Sequence, residues 1–263
     1  MNCSEGHLSK HSSTAVHKRK KRVAYQTCLV TYFDILGFRS LLKSETAGRI
    51  SRILRVVKES SRRDKETERD FDRLYESFSD LTLRSIVVSS PEFLLVRPGL
   101  LLYELESIAQ VQIELIRREN ILVRGGIAIG ALVKSWGLVY GSALVKAYEM
   151  EKQAKHPRVL IDVHLLDVLR QLSTQGNHDL AVAQLVARDR HYSYVDYLRY
   201  RCRLVDWEEQ AKFFRLHKQL IEQGLARFSS SPHIREKYEW LRRYHNSRVP
   251  MIPLPAFENL KIG

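Results

Sequence analysis

A buried strand that runs into a carboxylate and then turns on a glycine constrains this chain most. Val23 to Thr31, with Leu29, Val30 and Thr31, leads through Tyr32-Phe33 into Asp34-Ile35-Leu36-Gly37-Phe38. An apolar run of this kind reads as a buried strand, so Asp34 stands where strand meets turn. The turn's backbone N–H groups suit an anion. A second carboxylate, Asp80, has a similar setting. Leu74, Glu76, Phe78 and Asp80 alternate with Tyr75, Ser77 and Ser79, and Leu81–Val88 follows, a hairpin with Ser79-Asp80 at or near its turn. Two strand-borne aspartates beside such a turn suit a divalent cation and a polyphosphate. Mg²⁺ and Mn²⁺ take hard oxygen ligands and complete their shells with carboxylates, water and substrate phosphates. The pattern points to nucleotide chemistry.

The remaining elements give the fold class. Ile50, Ile53, Leu54 and Val57 fall at helical spacing within 44–63, and 64–72 is densely charged. Residues 100–120 form a long amphipathic helix and 121–132 a strand with paired glycines, Gly125 and Gly126. A loop follows over 137–141, then a helix over 142–155 with Ser142 as its expected N-cap, ended by His156-Pro157, and a strand over 158–162. Strand, helix, hairpin, helix, strand, helix, strand is the order of an α+β layer: an antiparallel sheet with helices on one face, related to the ferredoxin-like arrangement. Past Asp162 the chain is mainly helical with one expected strand at 192–198. The expected organisation is a disordered basic arm over 1–22, a catalytic domain over 23–165, and a helical C-terminal extension over 166–263 packed on it.

Composition sets the class of partner. The 263 residues carry a net charge of +13, which calls for an anionic partner. Part of it is the run Lys18-Arg19-Lys20-Lys21-Arg22, read as a solvated arm. Residues 237–244 read as an amphipathic packing helix rather than a nucleic-acid face. No apolar stretch reaches the ~18 residues that span a bilayer, so no stable membrane insertion is expected. Cys3, Cys28 and Cys202 have no ligand spacing and suit a reducing cytoplasm.

Residues 30–162 resemble the catalytic domain of class III nucleotidyl cyclases. That family's first motif is matched by Phe33-Asp34-Ile35-Leu36-Gly37-Phe38, and its hairpin aspartate by Ser79-Asp80. A third, Arg-x-Gly-Ile-x-x-Gly, is matched by Arg124 to Gly130, and a fourth by Gly141 with Glu151 ten residues on. Taken singly each is weak, since Asp34 alone also reads as a helix cap and Asp80 as a turn residue. Four in order form a pattern. Within the family, Phe78-Ser79-Asp80, Arg124–Gly130, Ala147-Tyr148-Glu149-Met150-Glu151 and Pro157-Arg158-Val159 are similar to the pyrimidine nucleotide cyclases of the Pycsar bacterial anti-phage system.

The resemblance implies a reaction and a set of roles. A nucleoside triphosphate, UTP before CTP, is cyclised to the 3′,5′-monophosphate as a defence signal. GTP, or a silent nucleotide-binding module, is the alternative. Asp34, Asp80 and the Ile35 carbonyl would hold two Mn²⁺ or Mg²⁺ ions per site, and the amides of Leu36, Gly37 and Phe38 would meet the phosphates. Arg124 would clamp phosphate. The family's transition-state Asn and Arg positions hold Val145 and Glu149 here, leaving Tyr148, Lys146 or another arginine as substitutes. Glu76, with Leu138 where the family has an Asp or Cys, would read the base, in a pocket narrowed by Tyr75, Phe33 and Phe38. The family's architecture implies a head-to-tail homodimer with sites at the interface. The trigger and the downstream effector are not legible.

Overall fold

The computed structural model describes residues 23–60, 73–78, 81–87, 99–135, 138–174, 184–204, 206–252 and 257–263. The basic arm, the charged stretch over 64–72 and the Ser79-Asp80 turn lie outside the described residues. Among the described residues seven strands lie side by side in one sheet. Their order is β2 (Arg73–Phe78), β3 (Leu81–Val87), β1 (Gln26–Ile35), β4 (Val123–Ser135), β6 (Val159–Ile161), β8 (Ser193–Val195) and β7 (Val186–Arg188). The eighth, β5 (Leu138–Tyr140), folds back on the end of β4. Among the described residues the α-helices are α1 (Phe38–Ser44), α2 (Ala47–Ser60), α3 (Gly99–Glu119), α4 (Ser142–Ala154), α5 (Val163–Thr174), α6 (Tyr197–Leu204), α7 (Trp207–Arg227) and α8 (Pro232–Arg248).

The architecture is a mixed α+β sheet covered by helices, and it departs from the expected layer in two ways. The β4–β6 pairing is parallel, whereas every other pairing is antiparallel. Helices also cover both faces. Side chains on β1 alternate, so Leu29 packs into the cluster with Leu101, Leu105 and Ile108 of α3, and Phe33 packs with Val111 and Leu115. Cys28, Val30 and Tyr32 point the other way and meet Ala143 and Ala147 of α4. A strand buried on both faces has no polar side to alternate with, which is why residues 28–33 are apolar on both faces apart from Thr31. Each large apolar side chain buried there contributes roughly 1.5–3 kcal/mol.

The register explains the glycines of the Arg124–Gly130 motif. Cys28 pairs with Gly130, Val30 with Ala128, Tyr32 with Gly126 and Asp34 with Arg124, all on the α4 face. A Cβ on Gly126 would lie 2.5 Å from the Met150 Cβ and 2.6 Å from the Ala147 carbonyl oxygen. The small residues thus let α4 settle close on the sheet. Gly141, at φ +150°, holds the N-cap position expected of Ser142, and a Cβ there would stand 2.3 Å from the Ala131 carbonyl oxygen. Ser142 is the first residue of the helix and makes no cap bond. Residues 138–140 are a short strand and not a loop, and the chain turns helical at Tyr197, cutting short the strand expected over 192–198.

The C-terminal part shares the core of the sheet. One cluster runs from Leu29 through Leu105, Tyr197 and Phe214 to Leu241 and Ile262. Arg158, 4% exposed, is structural: it pairs with Asp189 and lies over the rings of Tyr192, Tyr194 and Trp240. Two fully buried histidines form a wire. The Tyr197 hydroxyl is 2.8 Å from His217 Nε2, His217 Nδ1 is 3.0 Å from His245 Nδ1, and His245 Nε2 is 2.8 Å from the Leu260 carbonyl. That carbonyl can only accept, so His245 donates from Nε2 and accepts at Nδ1. His217 then donates from Nδ1 and accepts the tyrosine proton at Nε2. Both rings are neutral in this arrangement.

Candidate active site

Asp34 and Arg124 are neighbours across the β1–β4 ladder, on the face that α4 covers. Arg124 Nη2 donates to Asp34 Oδ2 at 3.2 Å. Its Nε lies 2.6 Å from Glu151 Oε1 of α4, a charge contact without hydrogen-bond alignment. One guanidinium therefore stands between two carboxylates. Burial pushes the Glu151 carboxyl above the usual carboxylate range; Arg124 opposes that shift and Asp34 adds to it.

These groups line a cavity of about 490 Å³ together with Ile35, Gly37, Phe38, Arg39, Tyr148 and Lys152. The volume falls in the range of small-molecule sites. Tyr148 stands edge-on to Tyr32, ring centroids 5.3 Å apart, and Lys152 Nζ sits 4.1 Å above the Tyr148 ring. Gly37 has φ +77° and precedes α1, and a Cβ added to it would meet nothing within 4 Å. The turn is bare on that side. Three cations, Arg124, Arg39 and Lys152, face two carboxylates, so the cavity favours an anion that brings its own counter-charge.

The residues fit a divalent cation as far as they are described. Asp34 offers a hard carboxylate at the cavity wall. The Ile35 side chain is in the core, so that residue meets the cavity through its backbone. Asp80 lies outside the described residues, but Leu81, the next residue in sequence, pairs with Asp34 in the β1–β3 register. Among the described residues no group of three or more His, Cys, Asp or Glu side chains gathers in a metal-binding arrangement.

Several expected site residues stand elsewhere. Phe33 is 1% exposed on the opposite face of β1, among Val111 and Leu115, because strand alternation turns it away from its neighbour Asp34. It packs the core and does not narrow this cavity. The Leu36 amide donates to the Leu122 carbonyl at 2.9 Å and is not available to a phosphate. Leu138 is 60% exposed at the far end of β4 and does not line this cavity. Tyr75 and Glu76 are in register with Arg84 and Leu83 on the β2–β3 ladder, and their side chains lie outside what the structure describes. Lys146 pairs with the buried Asp162 at 2.7 Å on another side of α4. Conversely, Arg39 and Lys152 carried no sequence role. Lys152 was findable one helical turn after Tyr148 and beside Glu151.

A further charge comes from the C-terminal helices. Lys237 of α8 is half-buried behind the Leu36-Gly37 turn. Burial, and then the Arg124 guanidinium, hold its ammonium below the usual lysine range, while Asp34 pulls the other way.

No protein-family model and no curated protein matches this sequence. Among solved structures the chain is similar to the guanylyl cyclase Cya2, at 13% identity over 66% of this chain and 92% of that one, with a TM-score of 0.44. It is similar to the adenylyl cyclase CyaB from P. aeruginosa at 12% identity, over 66% and 96%, with a TM-score of 0.48. A third, the dimeric guanylyl cyclase domain of the RhoGC fusion protein from Blastocladiella emersonii, gives 14%, 65%, 93% and 0.42.

Proposed function

We propose that this chain is a nucleotidyl cyclase whose triphosphate site is the Asp34 cavity. The observation that carries the reading is the meeting of Asp34, Arg124 and Glu151, drawn from three separate motifs, around one cavity walled by the Gly37 turn. In the reaction the ribose 3′-oxygen bonds to the α-phosphorus of its own triphosphate. The bond from that phosphorus to the bridging oxygen breaks, pyrophosphate leaves and the hydroxyl proton is released. The nucleophile is tethered, so much of its positioning is intrinsic to the substrate. Asp34, Asp80 and the Ile35 carbonyl would hold two divalent cations, Mn²⁺ or Mg²⁺, which when bound would lower the hydroxyl pKa and offset charge on the leaving group. Arg124 exchanges its contact with Asp34 for phosphate oxygens, and Arg39 and Lys152 hold the polyphosphate near the Gly37 and Phe38 amides. Tyr148, on the cavity wall, donates where the family uses Asn and Arg.

For the substrate we favour UTP before CTP, with an alarm signal against phage as the product's role; the support is the resemblance of the motifs. Glu76 accepts from a base N–H, and Leu138 offers no acceptor to an adenine amino group. Leu138 stands clear of its own chain's cavity, and in the head-to-tail homodimer that the resemblance implies a second copy would bring it there. Purified protein incubated with ATP, GTP, CTP and UTP in Mn²⁺, with products identified by mass, tests the reading. A cyclic pyrimidine monophosphate is the expected product, and it should vanish in Asp80→Ala. Cyclic GMP would keep the cyclase and move the base assignment to Glu76 reading guanine. No product from any nucleotide would leave a binding module.

A further inference from the structure

The packing of α8 on α7 fixes where Lys237 stands. Its neighbour Tyr238 lies against Gly224 of α7, where any Cβ would come within 2.1 Å of the ring. The same ring stacks on Phe228, centroids 5.8 Å apart with planes at 15°. One aromatic stack and a glycine contact thus hold this part of α8 on α7. Lys237 is left facing a cavity of about 230 Å³ that also touches Leu36, Gly37, Ser40 and Ile121. Gly37 borders this space and the Asp34 cavity alike. Among the described residues no carboxylate pairs with Lys237 and no acceptor takes its hydrogen bonds. A half-buried ammonium without a partner is unfavourable, and such groups persist where a counter-charge arrives with a ligand.

We infer that Lys237 binds the terminal phosphates of the triphosphate at the Leu36-Gly37 turn, so that the C-terminal helices form part of the site. The inference rests on the nucleotide reading above and deepens it. Arg124 and Lys237 approach the turn from different elements, one from the sheet and one from α8. A polyphosphate carries its charge along a chain, as a path from Arg124 past Gly37 to Lys237 requires. The ordinary role of 237–244, packing through Trp240, Leu241 and Tyr244, is retained alongside it.

The test is calorimetric titration of inorganic tripolyphosphate into the full chain in Mn²⁺. Lys237→Met should weaken binding about 10-fold or more, the scale of one charged hydrogen-bond partner, while Lys237→Arg stays within about 3-fold of the parent. Thermal unfolding separates ligand binding from packing. Lys237→Met should melt at or above the parent temperature, since it removes an unpaired half-buried charge. Unchanged affinity in Lys237→Met overturns the inference while the nucleotide reading stands. Equal losses of affinity in Lys237→Met and Lys237→Arg, with both melting early, also overturn it in favour of packing. Failure of the parent chain to bind tripolyphosphate overturns the nucleotide reading and this inference with it.

Discussion

Arg124 holds two carboxylates, Asp34 at 3.2 Å and Glu151 at 2.6 Å, and its fork is the feature a substitution must keep or lose. Arg124→Lys keeps the charge that Glu151 needs but not the planar bidentate geometry. Turnover should fall about 100-fold, the scale for losing one aligned transition-state donor, with the melting temperature little changed. Steady-state kinetics beside a melting curve checks both. The histidine wire gives a second expectation. Burial holds His245 down to about 4 and His217 well below its ordinary 6.5, with His245 adding to the latter shift. Between about pH 4 and 6.5 the unfolded chain binds protons that the folded chain refuses, so stability is full above 6.5 and is lost as pH falls. His245 costs about 1.4 kcal/mol per pH unit in that window, and His217 acts in the same direction. Urea midpoints at pH 7 and 5.5 should therefore drop more in the parent than in His245→Gln, which cannot titrate. At this scale the sequence showed Asp34 and Arg124 because their motifs are contiguous. It placed Phe33 wrongly because one residue along a strand is the opposite face. It could not show Lys237, which comes to the Leu36-Gly37 turn only through the packing of α8.

Helix α4 carries Tyr148, Glu151 and Lys152 to the cavity, and its distance from the sheet is set by glycine. Gly126→Ala brings a methyl against the Ala147 carbonyl oxygen, which cannot swing aside as a side-chain tip can. The helix must lift, at roughly 1–3 kcal/mol of stability, and turnover should fall with it as Glu151 leaves Arg124. Gly130→Ala is the comparison: its nearest contacts are 3.3 Å, so a slight shift of Ala143 suffices and stability should fall less. Denaturant midpoints of the two variants measure the difference. If both lose equally, the tight contact is not what positions α4. The glycines were legible as marks of close packing, and β1, α3 and α4 were legible from their periodicity. The parallel β4–β6 pairing and the second helical layer were not, because pairing direction and layer side depend on connections that no local pattern encodes.

Across the whole molecule the expected boundary at 165 does not divide the core. Strands β7 and β8 extend the same sheet, and the α7–α8 pair contributes to the core cluster that includes Leu29. The sequence suggested an appendage because the family resemblance stops there, and a resemblance reports shared motifs and not shared packing. What remains exposed bears on assembly. Tyr25, Leu138, Tyr140 and Val145 are 45–65% exposed near the β5 end of the sheet, with Tyr25 edge-on to Tyr140 at 6.3 Å. Large apolar side chains gathered at one end of a domain mark an association surface. In the proposed homodimer that end of one copy meets the Asp34 cavity of the other, and a two-fold axis repeats the contact. Val145→Glu should then hold the chain monomeric in sedimentation at concentrations where the parent is a dimer. Specific activity of the parent should fall on dilution through the same range, while Val145→Glu is inactive throughout with its fold intact by circular dichroism. A parent that sediments as a monomer and keeps constant activity per chain would mean that one copy completes the site. Tyr148 and Lys152, which line the cavity of their own chain, would then be its catalytic donors.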